Sequence, residues 1–160
     1  MKWLTSNKIK STTNSFNRHT NMYTLMQQLK LVDQEKFLNS IMHVSGNIRY
    51  VVIYDMKGNT ILKRKMDGIT DLLTEEENKV ALNHTIESWN FRNSVSEKIG
   101  NTNYTLQVYD NLIRAIFPFG SKMLLVVSLD NAGKPDEIID RIQTILSGNN
   151  TKSKGGEKKF

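Results

Sequence analysis

Three histidines, His19, His43 and His84, are the side chains of this chain whose type alone suits metal ligation or proton transfer near neutral pH. Their spacing matches no close ligand set, and HExxH does not occur, so each is expected to be structural or solvent-facing. The chain has no cysteine, which excludes a disulfide framework, a thiolate-held zinc or iron–sulfur centre and a cysteine nucleophile. No serine stands in GxSxG, and neither GxxxxGK[ST] nor GxGxxG is present, so known nucleophile elbows and phosphate loops are absent. Gly155-Gly156 lacks the strand and helix that a phosphate loop needs around it and reads as tail. Glu75-Glu76-Glu77 offers three carboxylates, but adjacent residues point around a helix instead of converging. The residues therefore predict no catalytic group, no metal site and no cofactor.

Binding chemistry is the alternative, and the formal net charge of +6 raises nucleic acid or an anionic membrane as partners. The surplus sits at the ends. Residues 1–20 carry Lys2, Lys8, Lys10 and Arg18 with no acid, and residues 148–160 carry Lys152, Lys154, Lys158 and Lys159 against Glu157. The stretch between them is close to neutral, so a phosphate-binding face is not expected there, and nucleic acid is not favoured as a partner. Trp3, Leu4, Ile9 and Phe16 interleave with lysine, but without the spacing of an amphipathic helix. Lys63-Arg64-Lys65 reads as a solvated, charge-protected strand edge. No run reaches the roughly 18 apolar residues of a membrane span, and the first residues lack the apolar core of a secretory signal. A cytoplasmic location is the expectation, with the sequons at Asn83, Asn103 and Asn149 as by-products of an Asn-rich composition.

The elements that would carry any site can be placed from periodicity. Residues 1–20 and 148–160 are polar and aperiodic, the expected tails of one domain over 21–147. Met22, Leu25, Met26 and Leu29 predict a helix near 21–31, and Phe37, Leu38, Ile41 and Met42 a second near 34–45. Tyr50–Tyr54 is an apolar strand, Met56-Lys57-Gly58-Asn59 a turn, and Thr60 to about Lys65 the returning strand. Thr74 followed by Glu77 is a capping box, opening a helix expected to reach Ile99 with Leu82, Ile86 and Trp89 on its buried face. Tyr104–Tyr109, Leu112–Phe119 and Met123–Leu129 predict a three-stranded meander, and Pro118 should lie at a strand end or edge. A last helix begins near Pro135 and should stop at Gly148. The two most apolar runs, around Val52 and Val126, are expected to be central neighbours. The fold class is then α+β, a five-stranded antiparallel sheet in order 2-1-5-4-3 flanked by helices.

This order, carried by RYVVIYDMKGN, the helix after Thr74, the meander from Tyr104 to Leu129 and the final IIDRIQTIL, resembles the roadblock family, related to longin and profilin-like domains. The resemblance covers about 34–147 and extends to small archaeal proteins carrying this type of domain. It implies a homodimer in which third strands and long second helices meet across a twofold axis, and a scaffolding or regulatory role toward Ras-like GTPases. In this chain those positions are Tyr104–Tyr109 and the 75–99 helix. Phe91, Thr105, Gln107 and Tyr109 are the interface candidates: Phe91 points away from the Trp89 face, and the other three share one face of the third strand. The expected function is a non-enzymatic protein-interaction domain. The alternative is a PAS-like sensory domain holding a small ligand between sheet and long helix. PAS domains share the strand order but place several short helices where this chain has one long capped one.

Overall fold

In the computed structural model, which describes residues 33–154 and their side chains as far as 148, the two most apolar runs lie side by side. β1 (Ile48–Asp55) pairs antiparallel with β5 (Met123–Leu129), with Val51 opposite Val127, Val52 opposite Val126 and Ile53 opposite Leu125. The side chains of all six are at least nine-tenths buried, as β-branched and aliphatic strands covered on both faces must be. β2 (Thr60–Lys65) returns beside β1, while β4 (Ile113–Phe119) pairs with β5 and β3 (Thr105–Val108) with β4. The order β2-β1-β5-β4-β3 is the predicted one. The turn into β2 is built on Asp55, whose carboxylate accepts the Lys57 and Asn59 amides at 2.9 and 2.8 Å, with Gly58 at φ 88°. Those bonds hold the Asp55 carboxyl below the ordinary carboxylate range, the Asn59 side chain being the largest cause. Pro118 sits opposite Leu124, beyond the last residue that β3 pairs, so no ladder amide is lost on its outer side.

The chain divides into two compact units, Met1–Phe37 and Leu38–Phe160. Of the first, only 33–37 are described, and they are helical; the expected helix over 21–31 lies outside the described residues. Helix α1 is described over 33–42, with Leu38 and Ile41 buried. It ends earlier than the expected 45. Asn39 O accepts the His43 amide at 3.0 Å and faces His43 Nδ1 at 2.6 Å, and the Val44 amide turns back to Ile41 O.

α2 (Glu75–Ser94) starts with the full capping box: the Glu77 amide donates to Thr74 Oγ1 at 3.2 Å and the Thr74 amide to Glu77 Oε2 at 2.8 Å. Its Leu82, Ile86 and Trp89 pack with Ile116, Leu124 and Val126 of the sheet, and Tyr54 and Met56 close the side of this cluster. Burial pushes the Tyr54 phenol up to about 12, Tyr50 adds to the shift and Arg114 opposes it. The single helix expected over 75–99 is interrupted. Ser94 Oγ donates to the Phe91 carbonyl at 2.7 Å, the Val95 amide turns to Arg92 O, and Val95 leaves helical geometry at φ −107°, ψ 5°. A separate turn, α3 (Ser96–Ile99), follows and leaves Ile99 exposed.

The opposite face is covered by α4 (Pro135–Lys154), which buries Ile138, Ile139 and Ile142 and packs on β4. α4 does not stop at Gly148. That glycine avoids the left-handed conformation of a helix terminator and lies inside the helix, at a typical cost of about 1 kcal/mol relative to alanine. Arg49 Nη1 meets Asp130 Oδ1 at 2.6 Å and its other nitrogen reaches Thr70 O, tying β1 to the end of β5 and to the loop before α2.

Urea denaturation of the full-length chain should show Phe117→Ala destabilised by about 3–5 kcal/mol and Thr74→Ala by about 1 kcal/mol. Asp55 titrates below its unfolded value, so its contribution is present above that value and lost as pH falls through the folded one. The stability gap between wild type and Asp55→Asn should therefore be widest at neutral pH and narrow below pH 3.8, the ordinary value.

Candidate functional site

A five-stranded open sheet has two edges, and in this chain they differ in chemistry. The β2 edge carries Lys63, Arg64 and Lys65. Lys65 Nζ lies 2.9 Å from Asp71 Oδ2, which lowers the Asp71 carboxyl, and Lys63 Nζ stands 5.0 Å from the Tyr50 ring centroid. The Tyr50 hydroxyl raises the Lys63 ammonium. Charge of this kind blocks strand addition. The β3 edge, Thr105-Leu106-Gln107-Val108 followed by Tyr109, carries no charged residue and, among the described residues, pairs on its inner side alone, with β4. Val108 is 65% exposed and Tyr109 53%, large apolar surface on an unpaired strand.

The strand's two faces meet different surroundings. Thr105, Gln107 and Tyr109 face α2, and between β3–β4 and α2 runs a groove of about 620 Å3. Val80, Ala81 and Trp89 of α2 and Ile116 of β4 form its apolar walls. Polar groups enter it from Thr85, Gln107 and Tyr109, and charge from Glu76, Glu77, Arg92 and Arg114. Thr85 Oγ1 is satisfied by Ala81 O at 2.9 Å, and Glu77 is held by the capping box. Arg114 is not satisfied in the same way: its Nε is buried without a hydrogen-bond partner among the described residues. Arg64 Nε shares that condition but belongs to β2, outside the groove.

Among the interface candidates, the structure brings Thr105, Gln107 and Tyr109 together along the groove, with Tyr109 Oη 3.4 Å from Gln107 Oε1. Phe91 is 68% exposed on α2 and is not part of the groove wall. His84 lines the groove at its exposed rim, 3.7 Å from Glu87, and His43 closes the end of α1. Sequence reasoning missed Val80, Leu106, Val108 and Arg114. The alternation of Tyr104–Tyr109 gives Leu106 and Val108 the periodicity of an inward face, yet that face of the edge strand is left open. Arg114 had a signal: it is the one charged residue inside the apolar run from Leu112 to Phe119.

No family model matches the chain, and no curated protein matches it. Solved structures do. MglB of Myxococcus xanthus superposes with a TM-score of 0.55 at 14% identity, covering 72% of this chain and 89% of that one. A roadblock/LC7 domain from Streptomyces avermitilis gives 0.54 at 8% identity, covering 72% and 93%. The gliding protein MglB of Thermus thermophilus gives 0.53 at 11%, covering 71% and 87%. This is the roadblock/LC7 fold. A further MglB structure with the same roadblock plan, similar at a TM-score of 0.53, has a tetrameric arrangement.

Proposed function

We propose that this roadblock-fold chain is a non-enzymatic docking domain that forms a homodimer through β3 and the adjoining flank of α2. The observation that carries the reading is the contrast between the sheet's edges. β2 is guarded by three consecutive cations, whereas β3 offers unpaired backbone groups beside exposed Val80, Val108 and Tyr109. Antiparallel pairing of two β3 strands would satisfy those groups and extend the sheet across both subunits, with Thr105, Gln107 and Tyr109 of each beside the junction. Exposed Phe91 extends the apolar surface of α2. The tetrameric arrangement of an MglB with this fold supports self-association as a use of the scaffold. The roadblock resemblance adds a Ras-like GTPase as the partner class, and a cytoplasmic location fits such a role.

The groove between β3–β4 and α2 favours a second reading, a sensory domain that takes a small ligand there. Its volume lies within the roughly 300–1,000 Å3 typical of small-molecule sites.

Sedimentation velocity tests the docking reading. The wild-type chain should run as a dimer at micromolar concentration. Val108→Lys and Tyr109→Lys should each run as monomers, with folding stability unchanged within about 0.5 kcal/mol because both side chains are exposed. A wild-type monomer, or a dimer that survives both substitutions, would contradict it.

A further inference from the structure

One flank of α2 carries a charge pattern that makes the helix complementary to itself. Glu76, Val80, His84, Ser88 and Arg92 all line the groove beside β3, and their spacing of four sets them in a single row along that flank. The row opens on an acid, closes on a base and has His84 at its midpoint. Glu76, Val80, His84 and Ser88 are exposed and Arg92 is half-buried. Among the described residues neither Glu76 nor Arg92 has an ion-pair partner. Within one helix they cannot reach each other, because sixteen residues rise by about 24 Å. Glu77, next in sequence, is engaged by the Thr74 amide, which leaves Glu76 as the acid that this end of the flank presents. An acid in the first turn and a base in the last also suit the dipole of the helix, which accounts for their signs but not for their shared row toward β3.

We propose that this row is the code by which the chain selects a second copy of itself: with two α2 helices antiparallel across a twofold axis at His84, Glu76 of each copy meets Arg92 of the other. Twofold symmetry makes the contact occur twice. The inference rests on the homodimer reading and adds what backbone pairing of β3 cannot supply. Backbone groups are alike in every chain, so an open edge alone accepts any other open edge. The two ion pairs reject a chain with a different charge at either position. They also reject a parallel arrangement, which would set Glu76 against Glu76 and Arg92 against Arg92.

Charge exchange in the full-length chain tests the code, with one chain of each mixture labelled with nitrogen-15 so that native mass spectrometry separates mixed dimers from homodimers. Glu76→Arg and Arg92→Glu should each dimerise at least roughly tenfold more weakly than wild type, since each sets two like-charge contacts across the axis. Mixed together they should form a mixed dimer of wild-type affinity, because that pairing regains both opposite-charge contacts. The double variant Glu76→Arg/Arg92→Glu should dimerise with itself and refuse the wild-type chain. Single variants as dimeric as wild type, or a mixture no tighter than its components, would overturn the code while leaving a dimer built on β3. A monomeric wild type would overturn the code and the homodimer reading together. Arg92→Lys, which keeps the charge, holds the test decisive if an exchanged chain fails to fold. In its dimer a carbodiimide should join Glu76 of one copy to position 92 of the other, an amide bond that a single helix cannot close over about 24 Å. A dimer without that cross-link would overturn the proposal.

Discussion

The rest of the structure depends on the antiparallel pairing of β1 with β5, which joins residues more than sixty positions apart in the chain. Pairing at that separation costs loop-closure entropy, and it is repaid because Val51, Val52, Ile53, Leu125, Val126 and Val127 leave water together. Once those strands are central, the short hairpins leave little choice. β2 must lie outside β1, β4 outside β5, and β3 outside β4, so two strands of opposite character become the edges. α2, through Leu82, Ile86 and Trp89, and α4, through Ile138, Ile139 and Ile142, then cover the sheet. The edge position of β3 is thus a consequence of the central pairing.

The edges and the groove follow from where the helices fail to reach. α2 crosses the sheet with Leu82, Ile86 and Trp89 inward, and covers the Ile116–Val126–Leu124 part of the face fully. Toward β3 the helix stands away, leaving Gln107, Tyr109 and Arg114 lining a groove instead of a packed core. Arg114 is the sharpest case. A cation on a flanked strand is tolerated only when its donors find acceptors, and at this position the described residues leave Nε without one. On β2, Lys65 has Asp71 and Lys63 has the Tyr50 ring, while Arg64 Nε, like that of Arg114, is left without an acceptor among the described residues.

The strand order was legible in the sequence because continuous apolarity and tight turns are local signals: YVVIY and MLLVVSL announce central strands, and Met56–Asn59 a hairpin. The Thr74 capping box was legible for the same reason, since its two hydrogen bonds join residues three apart. Three helix ends depart from the sequence pattern, the early end of α1 and two where a weak local cue meets a different tertiary outcome. Gly148 carries the usual terminator but remains in α4, and Ser94 breaks α2 by capturing the Phe91 carbonyl, a competition that the apolar spacing of Val95 and Ile99 conceals. The groove was not legible. Period-two alternation assigns Thr105, Gln107 and Tyr109 to one face, but whether a helix packs on them or stands off is set by side-chain volumes across the sheet, which no local window contains.

The central claim is that β3 is a docking edge, and hydrogen–deuterium exchange of its own backbone tests that most directly. Peptides spanning 104–109 should be protected at high protein concentration and lose that protection on dilution, while peptides of β5 stay protected throughout. Exchange in 104–109 that is independent of concentration would contradict the account, because an edge strand engaged by a second copy must be released when the copies separate.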